Sequence, residues 1–394
     1  MSHSGQPAVG WASPTPGSER LLAPDLARGV MLLLIALAHS RMLHAGGNLL
    51  TRPAGGGWVD VGVQWLLTSF VDGRAAPLFG LLFGYGLVQM TRRQTGPGGD
   101  PANARRLLRR RGLWLIVFGV AHVVLLYSGD VIGSYGVFAL LFAAAVTWSN
   151  RRLWWVFGVT LAFGVAAATA LQLLAAAEAS LAVGPTLLDS AALRASALIV
   201  LPIAGLSVAP AILIGIWAGR MRLLEQPARY RSVLIRVVLI GFPVGIVGAQ
   251  PVALQAVGLW SPDSVGAGAL AEAVFAATGI AGGLAYMAAI ALVADRLDQR
   301  RGPVTNALVA CGRRSMTFYI AQSPVWFVAT EPSLLDLGGR LGAATAAAVA
   351  LGTWVVTVII AAALERWGRR GPAEALLRRL TYGAGPSTTR PAAA

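Results

Sequence analysis

RRLLRRRGLWLIVFGVAHVVLLYSGD, residues 105–130, is the stretch whose reading decides the fold. Five arginines crowd its first seven positions, and from Gly112 to Tyr127 the only ionisable group besides Tyr127 itself is His122. Ser128, Gly129 and Asp130 then form a short acidic turn. A helix needs about 20 mainly apolar residues to cross a bilayer, and short cytoplasmic connections carry the Lys/Arg excess. The stretch therefore reads as one membrane span, 108–127, with its arginine end inside and its Asp130 end outside.

The same grammar repeats outward from it. Apolar runs predict further spans near 26–44, 74–91, 131–148, 153–177, 196–219, 232–257, 267–294, 306–329 and 341–363, ten in all. WVDVGVQWLLTSFV, residues 58–71, is short and reads as a half-helix leading into the second span. Every second connection is arginine-rich: 92–111, 149–152, 220–231, the stretch from Arg296 to Arg314, and the tail from Arg366. The alternate ones carry Asp130, Asp189, Asp263, Glu331 and Asp336. This alternation puts both termini in the cytoplasm.

Composition agrees. Of 394 residues 56% are apolar and only 12% charged, with a mean hydropathy of +0.65. A soluble domain carries about 25% charged residues. The net charge of +15, all of it from arginine, would by itself suggest nucleic acid. Its loop-by-loop placement instead records sidedness, so the bilayer is the expected partner and nucleic acid is not. A lone cysteine, Cys311, leaves no internal disulfide or multi-cysteine metal site, and no H-E-x-x-H, Walker A or dinucleotide-binding glycine pattern appears. No metal is expected.

The predicted class is thus all-α, a polytopic helical bundle. Two halves, 20–177 and 190–383, lie between disordered tails at 1–19 and 384–394, which are rich in small residues and proline. VMLLLIALA before His39 has features of a cleaved signal, but a polar, proline-containing stretch precedes it, and it reads better as the first span. Gly80/Gly84 and Gly241/Gly245 have the spacing that lets helices pack closely.

Ionisable groups within spans mark candidate sites. Arg28 and His39 are eleven residues apart, about 1100° of rotation and roughly 16 Å of rise, so they share one face of a helix. A snorkelling arginine and an interfacial histidine would look the same. His122, Asp60, Asp72 and Arg74 fall toward the same outer side as His39. They suit either a general base with its orienting partner or a structural network tying helix ends together. Ser315, Tyr319 and Gln322 form a polar stripe in the ninth span, facing a cavity or a neighbouring helix. Pro324 is expected to kink that helix. His44 reads as a surface residue of a glycine-rich loop, and His3 belongs to the tail.

Several segments resemble the YeiB-like bacterial membrane proteins. They are RLLAPDLARGVMLLLIALAH (20–39), GRAAPLFGLLFGYGLVQMTRR (73–93) and RRRGLWLIVFGVAHVVLLYSGDVIGSYGVFALL (109–141). The last contains the family's G-x-x-H and G-D-x-x-x-x-Y elements as Gly119, His122, Gly129, Asp130 and Tyr135, with Val-Ile where the family has Ile-Leu. GRRSMTFYIAQS (312–323) and GPAEALLRRLTYG (371–383) look like motifs of the family's C-terminal half, the DUF418 domain of unknown function. The family is similar to a wider group of transmembrane acyltransferases that includes acyltransferase family 3, which O-acylates surface sugars, and the lysosomal heparan glucosaminide acetyltransferases. In family 3 an Arg is followed eleven residues later by an essential His, a spacing that Arg28 and His39 reproduce. Many YeiB-like members have Asn at the histidine position, and this chain departs from them there.

The resemblance implies a protein of the bacterial plasma membrane that transfers an acyl group, acetyl above all, from acyl-CoA as co-substrate to a hydroxyl of an extracytoplasmic envelope glycan or lipid. His39 would be the base, His122 with Asp130 a second base or orienting pair. Arg28 and the arginines at 105–111 would meet CoA phosphates, and Asp72, Arg74, Tyr135, Tyr319 and Gln322 would contact substrate. Two other readings stay open. One is a transporter or lipid-handling protein without covalent chemistry, its path lined by Tyr319, Gln322 and Arg74. The other is a noncatalytic scaffold.

Overall fold

The computed structural model describes residues 21–45, 57–96, 100–178, 186–298 and 300–383; the expected tails at 1–19 and 384–394 lie outside them. The regular secondary structure of the described residues is all helical, with no strand. In chain order the helices are α1 (Leu22–His39), α2 (Arg41–His44), α3 (Trp58–Phe70), α4 (Ala75–Gln94), α5 (Pro101–Leu125), α6 (Ile132–Phe142), α7 (Asn150–Glu178) and α8 (Leu187–Leu206). They continue with α9 (Ala209–Arg220), α10 (Arg231–Ala256), α11 (Val265–Leu297), α12 (Pro303–Arg313), α13 (Ser315–Thr330), α14 (Ala343–Arg366) and α15 (Pro372–Tyr382).

Among the described residues six helical segments are long and apolar enough to cross a membrane: Leu22–His44, Trp58–Gln94, Asn150–Leu171, Arg231–Ala256, Val265–Leu297 and Ala343–Arg366. Their outward faces are apolar. Trp155, Phe163, Leu239, Val247 and Ile359 are each more than 60% exposed. In water such faces would drive association, whereas in lipid they need no cover.

The spans anticipated at 196–219 and 306–329 are each broken. The first divides into α8 and α9 at Ser207–Val208, with Pro210 in the first turn of α9, where its missing N–H costs nothing. The second divides at Arg314, and Pro324 lies within the helix that follows, α13. Arg314 is buried in the break. Its Nη1 donates to the Ala310 carbonyl at 3.0 Å and to Glu365 at 2.6 Å, and its guanidinium also reaches the Arg369 carbonyl. α6 is much shorter than the anticipated 131–148 span, and the chain closes it with a 3-10 turn at Ala145–Thr147. Residues 58–71 form a true helix, α3, joined to α4 through the turn at Val71–Arg74.

Small residues set the tight joints. A Cβ on Gly84 of α4 would run into the Ile212 backbone of α9, so only glycine lets these two helices lie so close. Gly241 and Gly245 of α10 meet Ala281 and Gly282 of α11 in the same way, as their spacing predicts. α1 is central, packed on α4, α11, α12 and α14. Its buried face runs through Leu22, Leu26, Met31, Leu32 and Ile35.

α15 is amphipathic and ties the end of the described chain to the break. Glu374 Oε1 accepts from the backbone N–H groups of Met316 (2.7 Å) and Thr317 (3.1 Å), and Ala373 N–H donates back to Thr317 Oγ1 at 3.1 Å. The first turn of α13 has orphan donors by construction, and a carboxylate satisfies them while opposing the helix dipole.

Candidate functional site

The C-terminal ends of α1 and α5, the start of α6 and the second half of α13 converge on a buried polar cluster. His122 is its centre. Its Nδ1 lies 2.9 Å from Asp130 Oδ1, and its Nε2 lies 2.7 Å from Ser323 Oγ. The other oxygen of Asp130 accepts the Gly133 N–H at 2.7 Å, which fixes the carboxylate across the α5–α6 turn. All three side chains are buried, His122 and Asp130 at 3% and Ser323 at 1% exposure.

A carboxylate can only accept hydrogen bonds, so Asp130 selects the tautomer with the proton on Nδ1. Nε2 then presents a lone pair, and the Ser323 hydroxyl donates to it. This is the nucleophile–base–orienter arrangement, in which each group prepares the next. Gly119, one turn before His122, makes the geometry possible: a Cβ there would strike the Gly133 backbone and the Asp130 carboxylate.

His39 belongs to the same cluster. Its ring packs edge-on against Tyr127 (centroids 4.7 Å apart) and near Trp326 (6.2 Å) and Tyr319 (6.5 Å). His122 packs on Tyr319 (5.3 Å) and faces Tyr127 (6.4 Å) from the other side. The two histidines thus share two tyrosines. Among the described residues, buried His39 Nδ1, Gln322 Nε2 and Oε1, and Trp326 Nε1 have no hydrogen-bond partner. Each such atom costs about 1–3 kcal/mol. They belong to His39 and to one stretch of α13 that packs beside it. The Tyr319 hydroxyl, also buried without a hydrogen-bond partner among the described residues, lines the same patch.

The remaining candidates divide around this cluster. Asp72 pairs with Arg41, two residues beyond His39, and so braces its rim. Arg74 is fully buried among α4, α10 and α11. Its guanidinium donates to the carbonyls of Thr68, Asp72 and Gly245 and lies 4.9 Å from the Phe275 ring centre. Those bonds hold it to backbone. Tyr135 donates to the Ala76 carbonyl at 3.2 Å and packs on Phe79 and Phe83. Asp60 accepts the Ala344 N–H at 2.8 Å and so anchors α14. His44 is not a surface residue: it ends α2 and is 2% exposed. Ser315 opens α13 near the break, a full half-helix from Gln322.

Polar contacts tie α8 to the ends of α5 and α13 beside the cluster. Arg194 of α8 donates to the Val124 carbonyl (3.1 Å), pairs with Glu331 (3.1 Å) and sits over the Phe327 ring at 5.0 Å. Ser190 donates to the same glutamate at 2.6 Å.

The opposite end of α1 gathers arginines. Arg28 donates to Asp25 at 2.9 Å, and Asp25 also receives Arg313 at 3.4 Å. Arg111 of α5 interacts electrostatically with Arg28, Tyr382 and Glu374. Burial pushes the Tyr382 phenol up, while the surrounding charges of Arg111, Arg378 and Arg93 pull against that shift. Four arginines from α1, α4, α5 and α15 therefore crowd one corner of the bundle. Among the described residues no three His, Cys, Asp or Glu side chains converge as they would to hold a metal ion.

The residue that sequence reasoning missed is Ser323. It stands beside Gln322, one position off the Ser315–Tyr319–Gln322 stripe and 201 residues from His122, so no local pattern joins the two.

Fold and composition together define a polytopic, all-helical protein of membrane type. Residues 218–384 match the family described as Protein of unknown function (DUF418), so the chain carries a DUF418 domain. It is also similar to the Uncharacterized protein YxaH of Bacillus subtilis (strain 168), with 28% identity over 169 residues. That similarity spans 39% of this chain and 39% of the relative's own length.

Proposed function

We propose that the protein is a bacterial plasma-membrane acyltransferase. It takes an acyl group, acetyl above all, from acyl-CoA and places it on a hydroxyl of an extracytoplasmic glycan or lipid. The observation that carries this reading is His122 held between Asp130 and the Ser323 hydroxyl, inside a patch of unpartnered polar atoms that also contains His39. A neutral imidazole whose one nitrogen is held by a carboxylate can take a hydroxyl proton on the other. His122 has an orienting carboxylate and His39 has none among the described residues, which favours His122 as the principal base.

The two ends of α1 divide the labour. Arg28, Arg93, Arg111 and Arg378 supply positive charge for the donor's phosphates on the cytoplasmic side. His39 and His122 meet the acceptor roughly 16 Å farther along the helix. The arrangement belongs to ten spans with both termini inside. The broken segments α8–α9 and α12–α13 then each cross as a pair of shorter helices.

Incorporation of radiolabelled acetyl-CoA into envelope glycans and lipids tests this in membranes containing native protein, His122→Gln or His39→Ala. Loss of label in His122→Gln at equal expression supports the reading. Equal incorporation sinks it.

The unpartnered Gln322 amide and Trp326 indole also suit passage of a polar solute. Substrate flux without a covalent product would favour that transport reading.

A further inference from the structure

We infer that Ser323 is a covalent nucleophile, so that acyl transfer proceeds in two steps through a Ser323 acyl ester. The inference rests on the acyltransferase reading for its donor, but not for the reactivity of the hydroxyl.

A base that served only an incoming acceptor would need its lone pair facing open space. Here Nε2 of His122 is already engaged by a protein hydroxyl at 2.7 Å, and that hydroxyl's other acceptor, the Tyr319 carbonyl, is distant at 3.4 Å. The serine proton is thus directed at the imidazole. Asp130 is in turn held by the Gly133 N–H, so base and orienter are both fixed before any substrate arrives. Preorganisation of this kind activates an otherwise weak alcohol. A structural latch between α5 and α13 would need only one good hydrogen bond, not a carboxylate behind it.

The surroundings supply the other requirement. Negative charge develops on the carbonyl oxygen when a serine attacks an acyl group, and donors aimed at it lower the barrier. Trp326 lies one turn after Ser323 on the same face of α13, and Gln322 is its neighbour. The Trp326 Nε1–H and the Gln322 amide are buried donors without partners among the described residues.

In the first step Ser323 Oγ attacks the carbonyl carbon of an acyl thioester while His122 Nε2 takes the hydroxyl proton. The C–S bond breaks, the thiolate leaves, and His122 returns the proton to it, giving a free thiol and an ester on Ser323. In the second step an acceptor hydroxyl gives its proton to His122 and attacks the ester carbonyl. Ser323 Oγ leaves and regains the proton. The sum is thioester plus alcohol giving ester plus thiol. Asp130 is a positioning residue, since it acts through the imidazole.

Two readouts on the full-length protein in detergent separate the possibilities. A fluorophosphonate probe, which phosphonylates activated serines without any thioester, should label Ser323 as located by peptide mass spectrometry. Ser323→Ala should abolish the label and His122→Gln should slow it by on the order of 10²-fold or more. Radiolabelled acetyl-CoA should leave an adduct on the same peptide. With Ser323→Cys that adduct should become labile to hydroxylamine at neutral pH, as a thioester is. An unlabelled Ser323 in protein with an unchanged unfolding midpoint overturns the inference. So does acetyl transfer by Ser323→Ala at the native rate, which would leave the acyltransferase reading standing. Probe labelling at Ser323 with no acetyl transfer to any acceptor would do the reverse: the nucleophile would hold and the acyltransferase reading would fall.

Discussion

The Nε2 atom of His122 and the Oγ of Ser323 lie 2.7 Å apart although 201 residues separate them in the chain. This bond joins α5 to α13, and so joins the first half of the molecule to its DUF418 domain. Behind it stands Asp130, eight residues after His122 and folded back on it by the α5–α6 turn. The cluster's performance therefore depends on groups that do not themselves meet a substrate.

Asp130→Asn should leave the bundle folded while removing the group that fixes the imidazole tautomer. An amide facing Nδ1 can present its NH2, which turns the ring's lone pair the wrong way. Acyl transfer should fall by on the order of 10³–10⁴-fold, as expected when an orienting carboxylate is lost. A fall of less than tenfold, with the thermal midpoint in detergent unchanged, would mean that Asp130 is only a structural partner.

Gly119→Ala should act on the same geometry from behind. Its methyl group would meet Gly133 and the Asp130 carboxylate, so the α5–α6 turn must move. Overpacking of this kind costs about 1–3 kcal/mol. A lower unfolding midpoint and impaired transfer are expected together. A variant as stable and active as the native protein would show that the turn has room to give.

Glu374→Ala should separate stability from chemistry. It removes two charge-assisted bonds to the first turn of α13, worth roughly 1–2 kcal/mol by analogy with other helix caps. Thermal unfolding should shift down. Fluorophosphonate labelling of Ser323, two turns farther along the helix, should persist at low temperature. Loss of labelling in a folded protein would mean that the cap positions the nucleophile as well.

Sidedness is directly measurable, because the single native cysteine, Cys311, is fully buried and should stay silent toward water-soluble maleimides. Arg106→Cys and Asp263→Cys each place a thiol at an exposed position. In intact cells only the Asp263→Cys protein should label, and Arg106→Cys should label after permeabilisation. The opposite pattern would invert the assigned orientation.

The all-helical class was legible because apolar runs long enough to cross a bilayer stand out in the sequence. Gly84 and Gly245 announced their tight joints through spacing alone. The breaks at Ser207–Val208 and Arg314 were not legible. Both lie inside runs apolar enough to pass as single helices, and the second is stabilised by Glu365 and by the Arg369 carbonyl from far along the chain. His122 and Asp130 could be paired by eye, since one turn separates them. Ser323 could not be, because its partner is set by how α13 packs on α5. Glu374 was visible only as part of a motif. In space that motif and the one at 312–323 are a single joint, with Glu374 capping the helix that carries Ser323.

The most direct measurement is the rate of acetyl transfer from labelled acetyl-CoA to envelope glycan or lipid by purified native protein beside His122→Gln, matched for thermal midpoint. The expected result is ester-linked label with the native protein and a loss of at least about 10²-fold with the variant. Equal rates for the two, or no transfer by the native protein to any envelope fraction, would contradict it.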